Sequence, residues 1–313
     1  MASVPFSRGL HEVAPSCWAW FEPPGSWGLS NSGLVRIGDE MLVIDTQNDV
    51  GRARAVRAAA TDLGGPGSVT TVVNTHEDGD HWFGNTVFDG ARIVATTAAA
   101  AGMRTLRVDP RRLSDVGDEG TALRRWSRWR ASIYDYEGWR PVYPTETFDG
   151  ARTLEVGDGA VELREVGPAH TGGDAIVHIP EAGVVYAGDI LFHRSTPIVW
   201  AGPVSNYIAA CDVILSLDPA VVVPGHGPVA GTSGVRETRN YLSRLLEHAA
   251  RCVEAGTPLE QAYRSFDPGE YRLWPHASRA FQSIRAVYAE LRPDLSDLSW
   301  QEAMEIVLAD DAS

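Results

Sequence analysis

Directly after the β-branched run Val69-Thr70-Thr71-Val72-Val73 the chain reads Asn74-Thr75-His76-Glu77-Asp78-Gly79-Asp80-His81-Trp82-Phe83-Gly84-Asn85. Two imidazoles and three carboxylates fall between His76 and His81, and a loop at a strand end can aim such groups at one point. Taken alone, the segment also reads as an acidic surface turn. Three later stretches weigh against that. Gly167-Pro168-Ala169-His170-Thr171-Gly172-Gly173, Ala187-Gly188-Asp189 and Pro224-Gly225-His226-Gly227-Pro228 each set one ligand-type residue at the end of an apolar run. Strand ends converge on one rim, which is where ligand pockets are built.

The remaining pattern supplies the strands and helices. Strand grammar covers Ser16 to Phe21, Gly28 to Ile37 and Met41 to Ile44, then a helix from Val50 to Leu63 stops at Gly64-Gly65-Pro66-Gly67. A strand is expected at 92–96, and an Arg/Trp-rich helix at 119–139 carries Trp126, Trp129 and Trp139 packed inward, within an insertion at 100–145. Strands follow near 152–156, 160–166, 175–179, 184–187 and 221–223, with a helix near 204–217. Two β-rich halves, each followed by helices, predict two packed sheets with helices outside, over residues 1–231. Helices at 235–255, 276–291 and 299–309 form a C-terminal helical extension, 232–313, packed on the same domain.

Composition excludes several classes. The 313 residues carry a formal charge of −14, the wrong sign for a protein that grips nucleic-acid phosphates. No apolar run is long enough to span a bilayer, and the start lacks a basic segment followed by an apolar one, so a cytoplasmic location is expected. Cys17, Cys211 and Cys252 are far apart and read as free thiols. The expected partner is a small-molecule or carrier-bound substrate, with no nucleic acid and no membrane; a homodimer is left open.

These ordered motifs resemble the metallo-β-lactamase superfamily over roughly residues 10–230. The resemblance implies an α/β fold, the four-layer αββα sandwich, and two metal ions. Its first motif is His-x-His-x-Asp-His, followed by a His, a bridging Asp and a last His. Carried over, His76 and His170 serve the first metal, Asp80, His81 and His226 the second, and Asp189 bridges them, with Asp80 and Asp189 as the catalytic carboxylates. The second family histidine falls on Asp78. Counting charge, two divalent ions with Asp80, Asp189 and a bridging hydroxide sum to about +1, and Asp78 lowers this to about zero. Zinc is the family expectation, and the extra carboxylate moves the balance toward iron or manganese.

Segments 25–33, 166–171 and 225–231 are similar to aromatic-polyketide cyclases that also release thioester-bound chains, although those keep the histidine. The implied function is a dinuclear metal-dependent hydrolase or cyclase acting on an acyl, ester, thioester or polyketide-like small molecule in bacterial secondary metabolism. The alternative is a diiron oxygenase or oxidase of a biosynthetic intermediate, because His-x-Glu-x-Asp-His occurs in the oxygen-activating branch. A non-enzymatic ligand-binding derivative is disfavoured by the competent residues at the other ligand positions. For substrate contacts, His193 and Arg194 follow Asp189 closely, Trp82 and Trp27 are candidates for an aromatic wall, and Tyr207 for an oxyanion donor. Asp45 is expected to brace the metal loop, and Glu77 to sit on an exposed turn.

Overall fold

The computed structural model describes residues 4–65, 67–106, 108–295 and 298–311. Met1 to Ser3, part of the start read for a leader pattern, lie outside the described residues. Seven strands form the first sheet in chain order: β1 (Gly9–Ala14), β2 (Cys17–Phe21), β3 (Ser32–Ile37), β4 (Glu40–Ile44), β5 (Val69–Val73), β6 (Arg92–Thr96) and β7 (Glu146–Phe148). The second sheet holds β8 (Ala151–Val156), β9 (Gly159–Glu165), β10 (Ala175–Ile179), β11 (Val184–Tyr186) and β12 (Val221–Val223), running β12-β11-β10-β9-β8.

Period-2 alternation sorts these strands into layers. Leu42, Ile44 and Val73 meet Leu163, Val177, Val221 and Val223 between the sheets. The alternate residues Met41, Val43 and Val72 point outward onto Ala53, Val56 and Ala60 of α1 (Val50–Gly64), whose first turn is capped by the Asp49 carboxylate accepting from Arg52 N–H at 2.8 Å. On the far side, Ile176, Val185 and Val222 are covered by α5 (Val204–Ser216), α6 (Thr232–Glu254) and α8 (Arg279–Leu291). The layer order is helix, sheet, sheet, helix. The short helices α2 (Gly79–Trp82) and α3 (Thr97–Met103) follow β5 and β6, and α7 (Leu259–Arg264) joins α6 to α8.

The roof of the site comes from two distant stretches. Helix α4 (Ala122–Ile133) packs with Leu113 and Val116 against Met304 and Leu308 of α9 (Trp300–Asp311). The Glu305 carboxylate of α9 accepts from the backbone N–H groups of Ala122 and Leu123, both at 2.8 Å, and so caps α4 from across the fold.

Several expectations need correction. β3 begins at Ser32, since Ser26 to Leu29 turn instead, with Leu29 N–H donating to Ser26 C=O at 2.9 Å. The 119–139 helix shrinks to α4, because Tyr134 leaves the helical conformation at φ −113°, ψ 138°. Trp139 is buried, but Trp129 stands 42% exposed. Among the described residues, no helix is long and apolar enough to cross a membrane.

Candidate metal centre and cavity

β4 and β5 run parallel with Ile44 opposite Val73, and β11 and β12 run parallel with Tyr186 opposite Val223. Their C-terminal ends therefore open on one rim, and the two sheets are tied there by Ala175 N–H donating to Thr75 C=O at 2.8 Å. Each ligand-type residue is delivered by a loop at this rim. The His76 to His81 loop is gripped by Asp45, which accepts from Thr75 N–H, Thr75 Oγ1 and His81 Nδ1, each at 2.8 Å. Ser30 Oγ donates to Asp80 C=O at 2.6 Å. Asp174 folds the His170 loop by accepting from Thr171 N–H at 2.9 Å and Thr171 Oγ1 at 2.7 Å. Asn31 Nδ2 donates to the carbonyls of Pro224 and Gly227, both at 2.9 Å, and so pins the His226 loop.

All four imidazoles are oriented the same way. Nδ1–H of His76 donates to Thr75 Oγ1 (2.9 Å), of His81 to Asp45, of His170 to Ile198 C=O (2.7 Å) and of His226 to Gly25 C=O (3.2 Å). Every Nε2 is left facing inward, the tautomer a metal-binding histidine needs. At the centre lies Asp189, whose carboxylate oxygens are 3.8 Å from His76 Nε2, 3.2 Å from His81, 3.3 Å from His170 and 3.4 Å from His226. Asp78 Oδ2 is 3.1 Å from His170 Nε2 and 4.0 Å from His76 Nε2, while Asp80 Oδ2 is 3.3 Å from His226 Nε2.

Burial and charge set the protonation of this cluster. Burial together with the neighbouring His81 imidazole pulls His76 down to about 3. Burial also acts against the His170 cation, yet the Asp78 and Asp189 carboxylates outweigh it and raise this group to about 9. Asp189 is held well below the usual carboxylate range, its desolvation overcome by His226 and His81.

The donor set fits bound cations. His76 Nε2, His81 Nε2 and Asp189 Oδ1 are buried and have no hydrogen-bond partner among the described residues, a costly arrangement for a cluster with no further ligand. Donor atoms of His76, Asp78 and His170 lie within 4.8 Å of one another, as do those of His76, His81 and Asp189, and those of Asp80, His81 and His226.

The family model described as the metallo-beta-lactamase superfamily matches residues 25–226, well over half of the chain. The chain belongs to the metallo-β-lactamase superfamily. One relative, described as acyl-coenzyme A thioesterase MBLAC2 of Gallus gallus, is 27% identical over 239 residues, covering 70% of this chain and 80% of that protein. Among solved structures, the stereoselective inverting sec-alkylsulfatase Pisa1 from Pseudomonas sp. superposes with a TM-score of 0.68 at 15% identity, over 93% of this chain and 52% of the other. This chain thus spans about half the length of the alkylsulfatase. TMB-1, described with respect to substrate and inhibitor binding, superposes with a TM-score of 0.56 at 16% identity, over 78% of this chain and 99% of the other. Both structural likenesses concern the fold.

Beside the His/Asp cluster this superfamily member has a cavity of about 330 Å³. Asp78, Asp80, His170, Asp189 and His226 form its polar end, and Trp27, Leu113, Val116, Trp126, Trp200 and Trp300 line its apolar walls. Four expected substrate contacts do not reach it. Trp82 is fully buried behind the motif, with Nε1 donating to Glu77 C=O at 2.9 Å and its ring against Phe83 and Tyr143. Tyr207 is also fully buried, and its hydroxyl is already committed to the Asp189 backbone carbonyl. The His193 ring turns away to donate from Nδ1 to Pro228 C=O at 2.9 Å, and Arg194 is exposed, in a left-handed turn at φ 61°.

Two further residues were not anticipated as cavity groups. Glu77 is not on an exposed turn: it is half-buried in the wall, its Oε1 accepts from Gly172 N–H at 3.0 Å, and burial with the adjacent Asp78 pushes its carboxyl up. Arg279 opens α8, an amphipathic helix that also carries Gln282, Arg285 and Glu290, so nothing in the sequence singles it out as a cavity residue.

Asp45→Ala is expected to destabilise the fold by about 3 kcal/mol, since three buried donors lose their acceptor, and to weaken metal affinity about 10- to 100-fold through a freed His81 ring. Urea unfolding and metal titration check both. Parental values in both would remove the bracing role.

Proposed function

We infer that this protein is a metal-dependent hydrolase of small esters or thioesters, with ring closure of a polyketide-like acyl chain in bacterial secondary metabolism as the alternative outcome at the same centre. The observation that carries this reading is the Asp189 carboxylate, set among four inward-facing Nε2 atoms at the end of an apolar cavity. His76, Asp78 and His170 would hold one ion, Asp80, His81 and His226 a second, with Asp189 between them. Bound there, divalent ions supply Lewis acidity toward a carbonyl oxygen and a water acidic enough to act as nucleophile near neutral pH. Similarity to an acyl-coenzyme A thioesterase supports the thioester class.

The chain's own residues divide the remaining work. Asp78 is the most open carboxylate of the centre, its side chain 35% exposed, but it is paired with His170 Nε2 at 3.1 Å; of the other two, Asp80 at 14% is more open than Asp189 at 4% and is placed to orient the attacking water. Asp189 is enclosed and orients the imidazoles around it. The aromatic walls hold an acyl chain and exclude bulk water from the reacting bond.

A second reading rests on Asp78. With His76 and His170 it makes a two-histidine, one-carboxylate group, a set that suits non-haem iron and oxygen chemistry. Elemental analysis and an optical spectrum of protein purified without added metal, together with a thioester hydrolysis assay, separate the two. Two zinc ions per chain and released thiol support hydrolysis, whereas two irons with visible absorption and substrate-dependent oxygen uptake replace it. Asp78→His is expected to shift the zinc-to-iron affinity ratio about tenfold toward zinc. An unchanged ratio in competitive titration means that the carboxylate does not tune the metal.

A further inference from the structure

Arg279 is an anomaly on energetic grounds. Its side chain is only 1% exposed, and among the described residues its guanidinium makes one hydrogen bond, from Nη1 to Thr196 C=O at 3.2 Å, while Nε is buried without a partner. A guanidinium has five N–H donors, and burying a cation with few acceptors is costly. It also opens α8, the end of a helix where the backbone dipole disfavours positive charge, so helix stability does not account for it. Asp311 of α9 offsets part of this charge at a distance, but its hydrogen bonds go elsewhere: it accepts from Ser278 Oγ at 2.5 Å, His276 Nδ1 at 3.3 Å and Trp27 Nε1 at 3.4 Å.

The surroundings define what the group can hold. The guanidinium lies 4.2 Å from the Trp27 ring and 5.3 Å from the Phe192 ring, both cavity walls, so its faces are covered and its donors remain along the edge. Arg130 lines the same cavity in the same manner, stacked 4.8 Å from Trp126 and 5.4 Å from Tyr134, with a buried Nε that is also unpartnered among the described residues. A flat guanidinium edge matches a planar carboxylate through two parallel hydrogen bonds. Of the acids that line the cavity, Asp78, Asp80 and Asp189 are turned to the imidazoles, and Glu77 accepts from Gly172 N–H.

We propose that Arg279, aided by Arg130, forms an anion subsite in the cavity wall that binds a carboxylate carried by the substrate at a distance from the bond being broken, so that the preferred substrates are amphiphilic acyl compounds with a free acid end. Burial lowers Arg279 only to about 10, which leaves it cationic at neutral pH. The kinetic arm of the test rests on the hydrolytic reading; the binding arm does not.

The test compares N-acetylcysteamine thioesters of dicarboxylic acids, glutaryl to suberyl, with neutral acyl thioesters of equal length. In parallel, free adipate and dimethyl adipate are titrated by tryptophan fluorescence, with parent protein and the variants R279M and R279K. The expected result is a kcat/KM preference for the acid-ended thioester that falls about 30-fold in R279M, in line with the loss of a charged hydrogen-bonding partner. R279K recovers part of that preference, since charge returns without the fork. Adipate quenches the parent but not R279M, and dimethyl adipate quenches neither. Equal rates on both thioester series, with adipate binding unaffected by R279M, overturn the subsite and leave the hydrolase intact. If neither series is hydrolysed, the hydrolytic reading fails, and adipate binding alone then decides the subsite. A loss of adipate binding in R279M with parental folding, read by circular dichroism, supports it even so.

Discussion

Asp189→Asn is expected to strip the centre of at least one metal ion and to lower kcat/KM by about 10³-fold, the scale of several kcal/mol of lost charge stabilisation. The reason is positional. Asp189 is the carboxylate within 3.8 Å of all four Nε2 atoms, so both halves of the donor set depend on it. An amide keeps the side chain's shape but removes the charge that balances the cluster. Because Tyr207 and the strand ends still hold the backbone at this position, the protein should fold, and elemental analysis with steady-state kinetics reads the effect directly. Full metal content with activity within threefold of the parent would place the centre elsewhere.

Gly225→Ala tests the same carboxylate from its back side. A Cβ built on Gly225 would lie 1.9 Å from Asp189 Oδ1 and 2.7 Å from the Gly188 carbonyl carbon. Neither backbone can retreat easily, since Gly225 N–H donates to Gly188 C=O at 2.7 Å and Asn31 N–H donates to Gly225 C=O at 2.7 Å. The methyl group must therefore push Asp189 aside. The expected cost is about 3 kcal/mol of stability by overpacking, with a loss of activity of about 100-fold from a misplaced ligand. Urea midpoints and metal stoichiometry check it, and a variant matching the parent in both would show that the two loops are looser than drawn.

Strands such as β5, β6, β10 and β12 are legible because short β-branched or apolar runs are bounded by turn residues, so local pattern and tertiary burial agree. β1 is not, because it is an edge strand of half-buried residues whose alternation is weak. The His/Asp motifs stand out because chemistry is concentrated in a few positions at strand ends. Which neighbours face the cavity is a different question. Trp82 sits inside the motif, yet α2 turns its ring into the core, while Trp200, Trp300 and Arg279 reach the cavity from segments far along the chain. His193 follows Asp189 closely and its backbone N–H donates to His226 C=O at 3.0 Å, yet its ring is not part of the cavity lining because it bonds to Pro228 C=O. Local sequence therefore shows which loops carry ligand-type groups and says little about which side chains wall the cavity.

The cap that Glu305 places on α4 joins residues 182 and 183 positions apart. The wall that carries Trp126 and Arg130 is therefore held shut by a carboxylate on a different helix, and loss of that one group would uncap α4 and loosen the chamber while leaving every motif loop untouched.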